Sequence, residues 1–327
     1  MRLLRGFCAP ARAPGGCVVT IGTFDGLHLG HQALVRTLTA HATRLQLPSV
    51  LVTFEPTPRE YFSPADPPAR LTSLRERWRI LEGWGVDYIW LLRFGERLRN
   101  LSPEEFAAFL AREIRARQVV VGHDFRFAKG GAATAEILSA AGARLGFAVD
   151  VLEPVTLGAQ RISSSGVRAA LACGDFAGAA RALGRPYSMR GRVLLGTRLG
   201  RNLGFPTANL ALERRRAPVA GIFAVRVHGA GLDAAPGVAS LGTRPTIGGT
   251  EALLEAHLFD FNADLYGREI EVEFAAKLRD EECFATLEAL SAQMHRDAAQ
   301  ARTIAGSRCA RSAFIGKSVC GRLMVCL

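Results

Sequence analysis

Short apolar runs alternating with helically spaced stretches constrain the first half of this chain more than any other feature. Residues 17–21, 49–54, 88–92, 119–121 and 148–152 are rich in Val, Ile and Leu and read as strands. Helical patterns lie between them, the clearest opening at Ser102-Pro103-Glu104-Glu105. There an N-cap serine, a first-turn proline and a capping-box glutamate precede Phe106, Phe109 and Leu110. Strand–helix alternation of this kind needs crossover connections and predicts a doubly wound parallel α/β sheet. Ligands of such sheets sit beyond the carboxyl ends of the strands.

The pattern changes at Gly184-Arg185-Pro186. Beyond it, 191–195, 221–227, 238–241, 253–259 and 270–274 read as strands punctuated by glycine and proline, which predicts a compact β-barrel. One helical pattern follows, over about 284–302, with Leu287, Leu290 and Met294 on one face. At about 150 residues per domain, 327 residues suggest two domains. We therefore expect an α/β domain over 1–184, a barrel with a C-terminal helix over 185–305, and a disordered tail over 306–327, where no period is visible.

Composition removes several classes. With 49% hydrophobic and 22% charged residues the chain is globular rather than disordered. Its seven cysteines are odd in number and lack C-x-x-C spacing, which supports neither a disulfide framework nor a zinc knuckle. Those outside the tail, Cys8, Cys17, Cys173 and Cys283, read as reduced, buried thiols. No uncharged apolar run reaches the length of a membrane span, and the start Met1-Arg2-Leu3-Leu4-Arg5-Gly6 has no apolar core behind its charge, so the expected location is cytoplasmic. A net charge of +11 raises the question of nucleic acid. The arginines are scattered, however, and lysine occurs only at Lys129, Lys277 and Lys317. Without an aromatic-interleaved basic stripe we expect no nucleic-acid partner.

Two constellations carry chemistry. Directly after the first strand stands Gly22-Thr23-Phe24-Asp25-Gly26-Leu27-His28-Leu29-Gly30-His31, followed by a helical pattern. Histidines three apart, separated by a glycine at a strand-to-helix turn, can both face a ligand at the helix N-terminus. The free N–H groups and dipole there attract phosphate, and imidazoles add donors for charge developing in a transition state. Neither H-E-x-x-H nor a cysteine partner accompanies the pair, so zinc is not supported. The second constellation runs from Gly196 through Gly200 and Gly204 to Phe205-Pro206-Thr207-Ala208-Asn209. Glycines at four-residue spacing make either a barrel turn or a flap whose backbone approaches phosphate closely. A later run, Gly316-Lys317-Ser318, ends like a P-loop, but Arg311 occupies the first glycine position and no strand precedes it.

The first constellation resembles the G-x-F-D-G-x-H-x-G-H signature of the nucleotidyltransferase half of bacterial bifunctional riboflavin kinase/FAD synthetases. Val52-Thr53-Phe54-Glu55-Pro56, Val121-Gly122-His123-Asp124-Phe125-Arg126-Phe127 and Arg161-Ile162-Ser163-Ser164-Ser165-Gly166-Val167-Arg168 agree with that family in order. Departures are Thr23 for the usual asparagine, Ser165 for threonine, and Ala128 for the glycine that often follows the D-F-R-F run. The second constellation resembles the family's P-T-A-N motif, and Leu254-Glu255-Ala256-His257-Leu258 resembles the strand that carries its catalytic glutamate.

The resemblance implies a nucleotidyltransferase domain followed by a kinase barrel, with riboflavin phosphorylated to FMN and FMN adenylylated to FAD by ATP at separate sites. It implies catalytic roles for Glu255, His28, His31 and Arg168. Nucleotide and phosphate contacts would come from Gly22, Phe24, Asp25, Gly26, Gly30, Ser164, Ser165, Gly196, Gly200 and Gly204. Phe54, Phe62, Asp124, Phe125 and Phe127 would meet the flavin, and Thr207 and Asn209 would help hold Mg²⁺, which suits hard oxygen ligands. A monomer or weak homo-oligomer without membrane partners is expected. The competing readings are an RNA-binding protein with a synthetase-like His-x-Gly-His domain, and a family member that keeps only the kinase activity.

Overall fold

The computed structural model describes residues 1–6, 15–195, 204–214, 216–246 and 249–306. Cys8, Gly196 and Gly200, like residues 307–327 of the expected tail, lie outside them.

Six parallel strands form the first unit: β1 (Arg2–Arg5), β2 (Cys17–Ile21), β3 (Ser49–Glu55), β4 (Tyr88–Arg93), β5 (Ala116–Gly122) and β6 (Ala148–Leu152), in the order β1-β4-β3-β2-β5-β6. Successive strand side chains point to opposite faces, and here both faces are covered. Val19, Ile21, Val50, Val52, Val119 and Val121 pack with Phe106 and Leu110 of α5 (Pro103–Arg112) and Leu138 of α6 (Ala135–Leu145). On the other face Val18 and Val120 meet Leu38 of α1 (Leu29–Leu45), and Leu51 and Ile89 meet Leu81 of α3 (Leu74–Gly83). Capping boxes start α2 (Pro58–Phe62) at Thr57, α3 at Ser73 and the expected helix α5 at Ser102, after the one-turn α4 (Glu96–Arg99). From β2 the chain builds outward through β3 and β4, then returns to add β5 and β6 on the opposite side. The switch point therefore lies between β2 and β5, where a doubly wound sheet opens its ligand crevice.

After α7 (Ser164–Ala172) and α8 (Phe176–Leu183), six strands close an antiparallel barrel in the order β7-β8-β11-β10-β9-β12. They are β7 (Ser188–Leu194), β8 (Ala208–Ala211), β9 (Gly221–Gly229), β10 (Leu232–Thr246), β11 (Gly249–Leu258) and β12 (Glu269–Arg279). Met189, Leu210, Val225, Leu241, Leu254 and Val272 fill its interior, joined by Val167, Leu171, Phe176 and Leu183 of α7 and α8. The C-terminal helix, α9 (Leu287–Gly306), covers the outer face, where Ala298 and Ala301 pack with Phe205, Ala224 and Phe259.

Several elements differ from expectation. β1 and β8 carry too few residues to show a pattern, and both exist because they pair with a neighbouring strand. β10 runs through Pro236 and Pro245, and α9 begins at Leu287 rather than near 284 and continues to Gly306. Cys17 is buried, and burial pushes its thiol up to about 12, but Cys173 and Cys283 are exposed. Those two follow the last turn of α7 and precede α9, where no packing covers them.

Candidate functional site

At the carboxyl end of β2 the Gly22 N–H donates to Val52 O at 3.1 Å, the last ladder-like bond before the chain turns. Phe24, Gly26 and Leu27 then take positive φ of 50°, 84° and 48°. Phe24 and Leu27 are fully buried with Leu51 and Ile89, so their side chains anchor the turn from below. Gly26 is required twice over: its φ favours glycine, and a Cβ would stand 2.6 Å from Leu71 Cδ1. The buried Asp25 carboxylate accepts from the N–H groups of Leu71 and Thr72 at 3.1 and 2.9 Å and from Arg168 Nη2 at 2.5 Å. Thr72 Oγ1 in turn accepts from the Gly26 N–H at 2.9 Å, and Ser164 Oγ donates to the Asp25 carbonyl at 2.8 Å.

The turn delivers His28 as the N-cap of α1, its Nδ1 accepting from the His31 N–H at 3.4 Å. The two imidazoles stack with centroids 3.7 Å apart. Burial lowers His28 to about 4; the nearby Asp25 opposes this, while Arg161, Arg185 and Arg168 reinforce it. His31 is held well below its ordinary value by burial, then by His28 and Arg185, and its Nδ1 is buried with no partner. Both rings are thus neutral in the absence of ligand. A polyphosphate arriving at this helix terminus would supply the counter-charge that the burial denies them.

A cavity of about 520 Å³ opens over this turn, at the switch point. It gathers Gly22, Phe24, Asp25, His28, Gly30 and His31 from the first turn, Phe54 near the carboxyl end of β3, Asp124 and Phe125 after β5, and Ser164, Ser165 and Arg168 at the start of α7. Ser163 caps α7, accepting from the Gly166 N–H at 3.1 Å. The flavin candidates divide: Phe54 and Phe125 line the cavity, Phe127 is buried behind Phe125 and stacked on it, and Phe62 is 60% exposed, edge-on to Tyr61 and Phe94. Four cavity arginines escaped the sequence reading. Arg59 donates to Ser165 Oγ at 3.4 Å, Arg161 to Asp124 Oδ2 at 2.5 Å, Arg70 binds Glu55 and Glu60, and Arg126 completes the lining. Two of them carried a signal: Arg126 lies inside the Asp124-Phe125-Arg126-Phe127 run and Arg161 stands two residues before the serine run, whereas Arg59 and Arg70 sit in no motif.

On the barrel, Glu255 of β11 stands opposite Asn209 of β8 on one side and Ser240 of β10 on the other. Opposed residues share a face. Because Ala208, Leu210, Leu254 and Ala256 point into the core, the row Asn209–Glu255–Ser240 lies on the outer surface. Asn209 is nonetheless only 8% exposed, and its Nδ2 donates to Thr207 O at 3.5 Å. Beside the row His257 Nδ1 meets Pro206 O at 2.9 Å and its ring abuts Phe205, which also contacts His295 of α9. Gly204, φ 82°, has open space around it. Among the described residues no cluster of three His, Cys, Asp or Glu could hold a metal. The hydroxyl of Thr207, the amide of Asn209 and the carboxylate of Glu255 are hard oxygen donors, which fit Mg²⁺ completed by phosphate and water.

Comparison with known proteins bears on both regions. A family model described as FAD synthetase matches residues 11–166, and one described as riboflavin kinase matches 183–305. The "Bifunctional riboflavin kinase/FMN adenylyltransferase" of Escherichia coli strain K12 is 44% identical over 308 residues, 94% of this chain and 98% of the relative. This chain belongs to that family. The protein of the same name from Pseudomonas fluorescens is 45% identical, covering 93% and 98% of the two chains. A crystal structure described as a macrolide-efflux protein from Streptococcus pneumoniae superposes with TM-score 0.75 at 32% identity, covering 90% of this chain and 97% of the other. Among the described residues no helix is long and apolar enough to cross a membrane.

The two matched regions of this chain are joined by a buried polar network. Arg214, whose side chain is fully buried, donates to Glu76 of α3 at 2.5 and 2.7 Å and to the carbonyls of Arg70 and Leu71 at 3.2 and 3.1 Å. Glu76 also accepts from the Arg190 N–H at 2.7 Å, and Tyr187 Oη donates to Leu71 O at 3.2 Å. Burial raises the Tyr187 phenol above its ordinary range, so the hydroxyl remains a donor.

Proposed function

We propose that the two activities of the family reside at these two places, in domains spanning 1–184 and 185–305. Riboflavin would be phosphorylated on the barrel face bearing Asn209 and Glu255. FMN would be adenylylated in the cavity at the switch point. The observation that supports the second assignment best is the convergence in one cavity of Gly22–His31 with Ser164, Ser165 and Arg168, far apart in sequence.

In the kinase step Glu255 accepts the proton of the ribityl 5′-hydroxyl as that oxygen attacks the γ-phosphorus of ATP and ADP departs. Thr207 and Asn209 would hold Mg²⁺, which when bound neutralises charge on the nucleotide phosphates. Gly204 belongs to the flap expected from the sequence. In the adenylylation step a phosphate oxygen of FMN attacks the α-phosphorus of ATP and pyrophosphate leaves, with no covalent enzyme intermediate. His28, His31, Ser165 and Arg168 stabilise the charge that develops, and the α1 N-terminus adds its N–H groups. Asp25, Gly26 and Ser164 shape the turn, while Phe54 and Phe125 offer apolar wall to the flavin ring. The cytoplasmic location and the monomeric or weakly oligomeric state expected from the sequence form part of this proposal.

The test is to supply purified protein with riboflavin and Mg-ATP and to follow FMN and FAD by chromatography. Both products should appear in sequence. Absence of FAD when FMN is supplied directly would refute the assignment of the cavity.

A further inference from the structure

We propose that Arg185, which follows the adenylyltransferase domain in the chain, is a positioning residue for FMN adenylylation: its guanidinium fixes the turn that carries His28 and His31. The inference rests on the assignment of that turn to adenylylation.

Phe24, Gly26 and Leu27 all lie in the left-handed region, which is uncommon for bulky residues. Such backbone persists only where its surroundings over-determine it. Part of the restraint comes from within the domain, through Asp25, Thr72 and Ser164. The rest comes from beyond it. Arg185 Nη2 donates to Gly26 O at 2.7 Å and Nη1 to Leu27 O at 3.1 Å, the two carbonyls immediately before the His28 cap. Nη1 also reaches Leu183 O at 3.3 Å, and that carbonyl accepts from Gln32 Nε2 at 2.9 Å. The end of α8, the turn and the first turn of α1 are thereby tied together around a single guanidinium. Space at this joint is tight: a Cβ on the intervening Gly184 would stand 2.7 Å from Leu29 Cδ2.

The opposite side of the turn is framed in the same way. Asp25 holds the N–H groups of Leu71 and Thr72, while Arg214 and Tyr187 hold the carbonyl of Leu71. Arg185, Tyr187 and Arg214 all lie within the stretch that matches the riboflavin kinase model, and the turn lies within the stretch that matches the FAD synthetase model. The kinase half thus completes the backbone frame of the other site. A fork that spans two adjacent carbonyls is a task for arginine, because a lysine ammonium offers a point charge without the paired geometry. Adenylylation works by positioning, so a displaced cap residue costs rate more than binding.

The experiment uses the full-length variants Arg185→Gln and Arg185→Lys and measures both activities in each. In Arg185→Gln, kcat for FAD formation from FMN should fall about 10- to 100-fold with KM for FMN little changed. Riboflavin phosphorylation should stay close to wild type, and Arg185→Lys should recover part of the loss. Imidazole titration by NMR gives a second readout. The Arg185 charge opposes protonation of His28 together with Arg161 and Arg168, against Asp25, so His28 should titrate higher in Arg185→Gln. Unchanged FAD formation in Arg185→Gln, or parallel loss of both activities, would overturn the proposal. If wild-type protein makes no FAD, the assignment of the cavity fails instead. The titration then decides alone, and an unmoved His28 overturns the contact.

Discussion

Replacing His28 by asparagine removes an imidazole that the fold keeps neutral while leaving a good helix cap in its place. The native His28 has a pKa of about 4 against 6.5 for a free side chain. As pH falls, the unfolded chain therefore takes up a proton that the native chain refuses. The associated stability is complete above about pH 7.5 and is lost as pH falls from 6.5 towards 4. By linkage, the loss attributable to this ring between about pH 7.5 and pH 5 is about 2 kcal/mol. All three tryptophans, Trp78, Trp84 and Trp90, belong to the parallel-sheet half, so urea titration followed by tryptophan fluorescence reports the unfolding of that half. The stability difference between wild type and His28→Asn should shift by about 2 kcal/mol across this window, with the variant gaining on wild type towards acid. A difference that stays flat, or a His28 ring titrating near 6.5 in the ligand-free protein, would refute the argument that burial outweighs Asp25. Saturating ATP should raise the titration, because a polyphosphate beside the ring stabilises its cation.

Glu255→Gln should lower riboflavin phosphorylation by about 100-fold or more while FAD formation from supplied FMN persists; assaying each step with its own substrate checks this. Arg214→Met leaves the Glu76 carboxylate buried without its guanidinium and should cost about 3–5 kcal/mol in denaturant titration, much of it recovered when Glu76→Gln is added. Ala128 holds φ 64° and ψ −178°, a region that suits glycine almost alone, so Ala128→Gly should stabilise the protein by about 1 kcal/mol or more in thermal unfolding. Chelation of divalent cations should abolish FMN formation, and added Mg²⁺ should restore it.

Local signals, contained in a few neighbouring residues, decide much of this protein. The serine–proline–glutamate start of α5 is a hydrogen-bonding device contained in four residues, and the structure makes it as read. The apolar runs at β2, β3 and β5 declare burial by composition alone, since only strands covered on both faces tolerate so little polarity. The ten residues from Gly22 to His31 likewise contain their own turn, cap and helix start, so the first candidate site was legible as a unit.

Other features depend on partners distant in sequence. β1 is four residues with arginine at both ends, and it is a strand only because the edge of β4 offers it hydrogen bonds. Cys173 and Cys283 read as core and prove exposed, because a thiol carries no sign of which helix end it will occupy. Asp25 belongs to the signature, yet only the folded chain shows its carboxylate bound to Leu71, Thr72 and Arg168. Arg59, Arg70, Arg185 and Arg214 sit in no motif, and their roles arise from the carbonyls and carboxylates that packing brings to them. The sequence by itself determined the element types, the change from sheet to barrel and the residues able to do phosphate chemistry, because each is encoded within a few neighbouring positions. Only the tertiary structure decided which arginines hold the site together, because a guanidinium takes its meaning from acceptors that can lie more than a hundred residues away.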